Sequence, residues 1–285
     1  MSQSAAPTIR LQNVQKNTLQ RKLYFFGALA LLLVVASFFS EQLCPYDPYM
    51  QDMSLTKAAP SAEHLLGTDR YGRDMLSRVI AGSYTSILST LLLVAFISAF
   101  GSIAGIFCAW SGKRLDTLVM RLADMFLAFP GLVFALAVAA VLGGGVQNAI
   151  LALAAISWPK YARLARSQTL AQQELPYMQA ARMAGCGTLG LIRRHVVPNI
   201  AGPILVTAML DIGTMMMELA GLSFLGLGAK PPIPEWGSMM SDTRNLLATH
   251  PWVTLAPGFA IFVSVMIFNL LGDTVRDWLD PKNRR

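Results

Sequence analysis

The polar stretch Gln179-Ala-Ala-Arg-Met-Ala-Gly185-Cys-Gly-Thr-Leu-Gly-Leu-Ile-Arg-Arg-His-Val-Val-Pro198 interrupts an otherwise apolar sequence. Two small residues, Ala180 and Ala181, are followed by Gly185, and Pro198 stands just before the next apolar run. This spacing predicts a short helix, a tight turn and a second helix. A polar segment of that shape between membrane-type segments indicates a surface that docks onto another protein.

The composition around this stretch indicates a membrane protein. Of the 285 residues, 54% are hydrophobic and only 14% are charged, and the mean hydropathy is +0.49. These values exclude an ordinary soluble domain. The net charge of +7 comes from basic residues that flank apolar runs, which favours the cytoplasmic face of a membrane over a nucleic-acid partner. Cys44, Cys108 and Cys186 are far apart, so neither a disulfide framework nor a cysteine metal cage is expected.

The apolar runs predict an all-α, polytopic protein with about six membrane spans. The first run follows a basic, acid-free segment, and we interpret it as an uncleaved helix in preference to a signal peptide. The fourth run is short and follows Gly143-Gly-Gly145, so it is either a broken or re-entrant helix or a span after a tight turn. The predicted spans are residues 23–39, 86–110, 122–142, 146–158, 200–227 and 253–271.

The distribution of Lys and Arg orients these spans. With the N-terminus inside, the four cytoplasmic segments carry four, three, six and four of the 23 basic residues. The positive-inside rule therefore predicts that both termini are cytoplasmic. The predicted organisation is a cytoplasmic segment 1–22, a membrane domain 23–271 containing a cytoplasmic loop at about 159–199, and a cytoplasmic tail 272–285.

Three further strings have a readable local structure. In Gly67-Thr-Asp-Arg-Tyr-Gly72-Arg-Asp-Met-Leu-Ser77-Arg78, Thr68 or Asp69 could cap an interfacial helix whose charged residues Arg73, Asp74 and Arg78 turn away from its apolar face. The prolines of Phe224-Leu-Gly-Leu-Gly-Ala-Lys-Pro-Pro-Ile-Pro234-Glu-Trp-Gly237 exclude a regular span and predict an external loop. In Phe268-Asn-Leu-Leu-Gly272-Asp-Thr-Val-Arg276-Asp-Trp-Leu-Asp-Pro281, the last residue stops a helix whose charges Asp273, Arg276, Asp277 and Asp280 can pair at the cytoplasmic surface.

Together these four strings resemble the C-type permeases of the dipeptide/oligopeptide/nickel family of ABC importers, and the resemblance runs from Leu66 to Pro281. The opening stretch is similar to the EAA loop, with Gln179 in place of the usual Glu and His195 in place of the usual Ile. The resemblance implies the type I importer permease fold and a coupling role for Gln179, Ala180, Ala181, Gly185 and Pro198. It also implies a bacterial inner-membrane location and a set of partners: a second permease in a heterodimer, two ATP-binding subunits and an extracytoplasmic substrate-binding protein.

The resemblance leaves the substrate open between a nickel ion or metal chelate and a peptide. The run Leu210-Asp-Ile-Gly-Thr-Met-Met-Met-Glu-Leu-Ala-Gly-Leu-Ser-Phe-Leu-Gly-Leu-Gly228 looks most similar to nickel-transporting members, and the prediction leans slightly to nickel. The sequence contains no G-x-x-x-x-G-K-[ST] phosphate loop, so ATP would be hydrolysed by the partner subunits. The chain is accordingly expected to be a transport subunit, not an enzyme, with no cofactor.

Two acidic residues interrupt the fifth predicted span. Asp211 and Glu218 are seven positions apart, which puts both on one helical face, with Met215 between them. Because intramembrane carboxylates are costly, they line a pathway for a cationic or amine-bearing substrate or contact the partner permease. Met215 could assist a metal ion or simply pack. A secondary transporter or channel that uses these carboxylates as a relay is the alternative function, but such a protein would not need the docking loop.

Overall fold

The computed structural model describes residues 6–279, with side chains from Thr18 onward. Within this range the chain is helical apart from turns, loops and an isolated bridge between Thr68 and Asp74, which confirms the predicted fold class. Short helical turns lie at Ser40–Leu43, Met53–Leu55 and Arg244–Leu246. The main helices are α1 (Ala6–Phe38), α2 (Met75–Trp110), α3 (Lys113–Ala128), α4 (Gly131–Val141), α5 (Val146–Gln173), α6 (Pro176–Met183), α7 (Thr188–Phe224), α8 (Trp236–Thr243) and α9 (Pro251–Leu279).

Four of the described helices are long and apolar enough to cross a membrane by themselves. They are residues 18–38 of α1, together with α2, α7 and α9, and the bent pair α3 and α4 brings the number to five. α5 has the length of a span, 28 residues, but its second half is too polar to meet the same criterion. α1 and α9 run continuously through residues 22 and 272, the predicted limits of the membrane domain. The predicted helix stop at Pro281 lies outside the described residues.

The third predicted span is wrong as a single helix. α3 and α4 meet at an angle of 94° across Phe129 and Pro130. A residue that precedes proline is sterically disfavoured in the helical region, and Phe129 is accordingly extended at φ −92° and ψ 148°. The apolar run is therefore continuous in sequence but is divided between two helices.

The fourth predicted span, residues 146–158, is too short. α5 continues through Pro159 to Gln173 and is the central helix of the molecule, with Ala149, Leu153 and Tyr161 fully buried. Proline is tolerated inside membrane helices where neighbouring elements satisfy the freed backbone carbonyl. Much of the predicted cytoplasmic loop at 159–199 is consequently part of the helical bundle.

α2 and α5 pack unusually closely along the centre of the bundle. Gly101 lies against the backbone of Trp158, and Gly105 lies against the backbone of Ala162, so a Cβ atom at either glycine would overlap the neighbouring helix. Small residues permit this approach, as they do in other membrane helix pairs.

The remaining loops divide between the two ends of α2. At one end, the Gln173 side chain donates a hydrogen bond to the Ala109 carbonyl over 3.2 Å. The loop between α5 and α7 lies at this end, which we call the docking end. At the opposite end, the Trp236 N–H donates to the Ser86 hydroxyl over 3.1 Å. The connections between α1 and α2 and between α7 and α9 meet there.

Candidate functional site

The predicted docking segment forms a helix, a turn and a second helix. α6 ends in a paired turn in which the Gly185 N–H donates to the Arg182 carbonyl and the Cys186 N–H donates to the Ala181 carbonyl, both over 3.0 Å. This arrangement needs a left-handed residue at the turn, and Gly185 supplies it with φ +82°. The short helix and tight turn are therefore as predicted, and α7 begins directly after them at Thr188.

A small separate core holds this segment against the bundle. Met178 is fully buried and packs in a cluster with Ala165 of α5 and with Leu191, Val196 and Ile200 of α7. Ala181 is half-buried at the edge of the same cluster, whereas Gln179 and Ala180 are exposed. Pro198 is also exposed and lies inside α7, just after a π-helical turn at Ile192–Val196.

The exposed residues of the docking segment and of the start of α7 include apolar and basic side chains. Met183 is 86% exposed and Leu189 is 69% exposed, and Arg182, Arg193 and Arg194 are also exposed. Exposed apolar residues rimmed by polar ones mark a protein interaction site. We call residues 175–189 the docking surface.

A charged cluster lies at the middle of α5 and α7. Asp211 is buried, and its carboxylate accepts hydrogen bonds from the Lys160 ammonium over 2.5 Å and from the Tyr161 hydroxyl over 2.8 Å. The Lys160 side chain itself is 52% exposed. The pair satisfies two charges that would otherwise be costly in the membrane interior.

The other two candidate pathway residues of α7 differ in exposure. Glu218 is half-buried, two helical turns beyond Asp211. Met215 is buried in the main core, and its sulfur lies 3.8 Å from the Ser157 hydroxyl. Of the candidates Asp211, Met215 and Glu218, only Glu218 has substantial accessible surface.

Lys160 lies in the segment 159–199 that the sequence predicts to be a loop, but the structure places it within α5. There it is the ion-pair partner of Asp211, near the middle of α5 and α7. The unpaired carboxylate of a predicted span was the available signal, since a buried charge requires a partner. Arg163 and Arg166 continue along the same helix and pair with Asp124 and Asp116 of α3.

The Gly67–Arg78 string forms a compact turn with buried charged residues at the opposite end, which we call the charged turn. The helix cap is Asp74, which accepts from the Ser77 N–H over 2.8 Å, so the prediction that Thr68 or Asp69 caps the helix is wrong. Arg73 and Arg78 do not face solvent either: both are buried, with Arg73 2.6 Å from the Asp69 carboxylate. Tight backbone turns bring the charged residues of this segment together, and a helical pattern in the sequence does not predict such turns.

The Phe224–Gly237 string forms a loop between the end of α7 at Phe224 and the start of α8 at Trp236, as its prolines predict. This loop and the charged turn line the same cavity. Glu235 is buried and caps α8 by accepting hydrogen bonds from the Gly237 and Ser238 N–H groups over 2.9 and 2.8 Å. Burial raises the pKa of the Glu235 carboxyl, and these two hydrogen bonds act against that rise. The Trp236 indole N–H donates to the Val79 carbonyl over 2.8 Å and ties the loop to α2.

Residues 101–285 match the family described as "Binding-protein-dependent transport system inner membrane component". The chain belongs to this family. Its relatives are membrane components of transport systems, so it is a permease subunit and not an enzyme.

Three similar permeases cover most of the chain. The probable D,D-dipeptide transport system permease DdpC of Escherichia coli K12 is 41% identical over 90% of this chain and 86% of its own length. The dipeptide permease DppC of Alkalihalophilus pseudofirmus is 42% identical over 78% of this chain and 73% of its own. The glutathione permease GsiD of Pectobacterium atrosepticum is 40% identical over 90% and 85%, respectively.

A solved structure shows the same fold. The inward-facing MetNI methionine ABC transporter has a chain with a TM-score of 0.58 and 17% identity, covering 72% of this permease and 98% of that chain. The predicted type I importer permease fold is thereby confirmed.

Proposed function

We propose that this permease forms, with a second permease, the pathway of an ATP-driven importer of short peptides in the bacterial inner membrane. The observation that carries the proposal is the docking surface, a glycine-shaped turn with exposed apolar residues on a chain that lacks a phosphate-binding loop. Such a surface allows a separate ATPase to act on the helices. Gln179, Ala180, Ala181, Gly185 and Pro198 belong to it or adjoin it.

The two ends of the molecule support two kinds of partner. Two ATP-binding subunits would bind at the docking surfaces of this permease and its partner. An extracytoplasmic binding protein would deliver substrate at the opposite end, where the charged turn Gly67–Arg78 and the Phe224–Gly237 loop lie. Both termini would then be cytoplasmic, in agreement with the bias of basic residues, which the reassignment of Lys160 leaves in place.

A peptide substrate is favoured over nickel or a metal chelate. The relatives reported above are named for dipeptide and glutathione transport, and these names lend nickel no support. Met215, the soft ligand of the proposed metal route, is buried against Ser157. The described residues also contain no group of three or more His, Cys, Asp or Glu side chains placed to hold a metal ion.

The pathway would run along the polar side of α5 and α7, past Asp211 and Glu218. A proton or cation relay by these carboxylates, as in a secondary transporter, is disfavoured because Asp211 is already neutralised by Lys160. The half-exposed Glu218 supports a water-facing side at this level, since a lipid-facing carboxylate would be costly.

A charge placed on the docking surface tests the coupling role. Met183→Glu should reduce co-purification of the ATP-binding subunits and lower ATP-dependent uptake by about tenfold or more, the loss expected when a charge replaces a buried apolar contact of an interface. Met50→Glu is the matched control, because Met50 is also an exposed methionine, at 68%, but lies at the opposite end. Equal ATPase co-purification in the two variants would contradict the docking role.

A further inference from the structure

The exposed sides of the long helices differ in chemistry. The exposed side of α2 carries large apolar residues through its middle: Leu92, Phe96, Phe100, Ile103 and Phe107. α9 is similar, with Leu255, Phe259 and Phe262 exposed. By contrast, the exposed positions at the middle of α5 and α7 are mixed: Lys160 and Thr214 are polar and Met217 is apolar, and the half-buried Glu218 lies one turn beyond Thr214. An ionised side chain in a membrane helix is tolerated where it faces water or a polar partner, which favours a pathway-facing position for Lys160 and Glu218.

Lys160 has binding capacity beyond its ion pair. Its ammonium group has three N–H donors, and Asp211 takes one of them over 2.5 Å. Asp211 is additionally held by the Tyr161 hydroxyl, so its carboxylate stays fixed while half of the lysine side chain remains accessible. The lysine can therefore receive a second anionic group without leaving Asp211 unpaired.

The charges on this side are spaced along the pathway. Asp211, which marks the level of Lys160, and Glu218 are seven residues apart, a rise of about 10 Å at 1.5 Å per residue. The ends of an extended dipeptide or tripeptide are about 7 to 10 Å apart, at 3.3–3.6 Å per residue. With Asp211 taken as the level of Lys160, the positive and negative groups are separated by about the length of a tripeptide. The flexible four-carbon stem of lysine allows the shorter separation of a dipeptide as well.

We propose that Lys160 and Glu218 form a transient site for zwitterionic peptides, with Lys160 taking the α-carboxylate and Glu218 the α-ammonium group. The proposal rests on the proposed function and adds to it the recognition of the two peptide termini by the permease itself. Lys160 contacts the peptide directly, Asp211 positions the Lys160 ammonium group, and Tyr161 holds Asp211 in place.

The test uses the complete importer in membrane vesicles, with both permeases, the ATP-binding subunits and saturating binding protein. The probes are Ala-Ala and its C-terminal amide, which lacks the carboxylate. Uptake of each is measured per ATP hydrolysed. Because one binding protein delivers the peptides to every variant, a difference between variants arises in the permease.

The variants separate peptide recognition from the neutralisation of Asp211. Lys160→Gln alone leaves a buried carboxylate unpaired and can destabilise the fold. Lys160→Gln combined with Asp211→Asn removes both charges, which avoids that penalty. Lys113→Gln changes an exposed lysine at the start of α3 and is the matched control.

In the double variant, uptake of Ala-Ala per ATP should fall about tenfold, the effect of losing one hydrogen bond to a charged group, while uptake of the amide changes little. Glu218→Gln should produce the corresponding loss when Ala-Ala is compared with N-acetyl-Ala-Ala. Lys113→Gln should match the unmodified importer.

If the double variant takes up Ala-Ala at the same rate per ATP as the unmodified importer, the proposal is overturned. Lys160 then serves only to neutralise Asp211. Where the binding protein rejects the amide, the Ala-Ala rate per ATP decides alone. Failure of the unmodified importer to take up any peptide is a different result, which contradicts the proposed function as well.

Discussion

Gly185 determines the shape of the docking surface through its backbone. Its φ of +82° is unfavourable for any residue with a Cβ, yet the space around it is open. Gly187, two positions later, is equally open but has φ −69°. The two glycines therefore differ in conformation and not in available space.

Gly185→Ala should destabilise the turn after α6 by about 1 kcal/mol, the cost of a left-handed alanine. The expected result is faster amide hydrogen exchange at residues 185 and 186, with reduced ATP-dependent uptake. Gly187→Ala should have a much smaller effect on both measurements. Similar exchange rates in the two variants would show that the left-handed conformation of Gly185 does not determine the stability of the turn after α6.

At this scale the sequence predicted the glycine turn but missed the partner of Asp211. Gly185 acts through local backbone geometry, which a short string contains. Lys160 and Asp211 are 51 positions apart, and their pairing depends on the rotation and depth of two helices. A local pattern does not contain that information.

Among the elements, α8 depends on an unusual cap. Glu235 is a buried carboxyl whose two N–H partners belong to the first turn of the helix. Since burial raises the pKa of Glu235, folding favours its protonated form. Its contribution to stability is thus present at low pH and is lost as the pH rises through the folded-state pKa.

The stability difference between the unmodified permease and Glu235→Gln should consequently shrink, or change sign, as the pH rises from about 4.5, the ordinary pKa of the group, towards neutrality. Thermal unfolding of the purified protein in detergent measures the difference. Glu63→Gln, at an exposed carboxyl, is the control and should show no comparable trend. An equal pH trend in both variants would count against burial as the cause.

Two departures from the sequence prediction occur at prolines. Pro130 follows the end of α3 and is the N-cap of α4, whereas Pro159 lies within α5. The residue preceding a proline is constrained locally, but tolerance of a proline depends on the surrounding helices. The loop predicted from Pro231, Pro232 and Pro234 is present between α7 and α8.

For the whole molecule, the placement of basic residues and the two loop-bearing ends predict a definite topology. Reporter fusions after Trp110 and after Pro198 should report the cytoplasm. Fusions near Ala58 and Trp236 should report the outside, because those residues lie at the end opposite the docking surface. An external signal from the Pro198 fusion would overturn both the orientation and the coupling role.

The close contact between α2 and α5 has a mechanical consequence. Gly101 and Gly105 lie directly against the backbone of α5. Because sliding would bring larger residues of α2 into steric overlap with α5, we expect the two helices to move together. α5 is about 42 Å long at 1.5 Å per residue, and it begins beside Gly145, whose N–H is bonded to the Leu227 carbonyl. A tilt of about 6° around one end of α5 would displace its other end by about 4 to 5 Å, close to the spacing of adjacent peptide chains in a sheet. α2, which packs against α5 at the two glycines, would move with it.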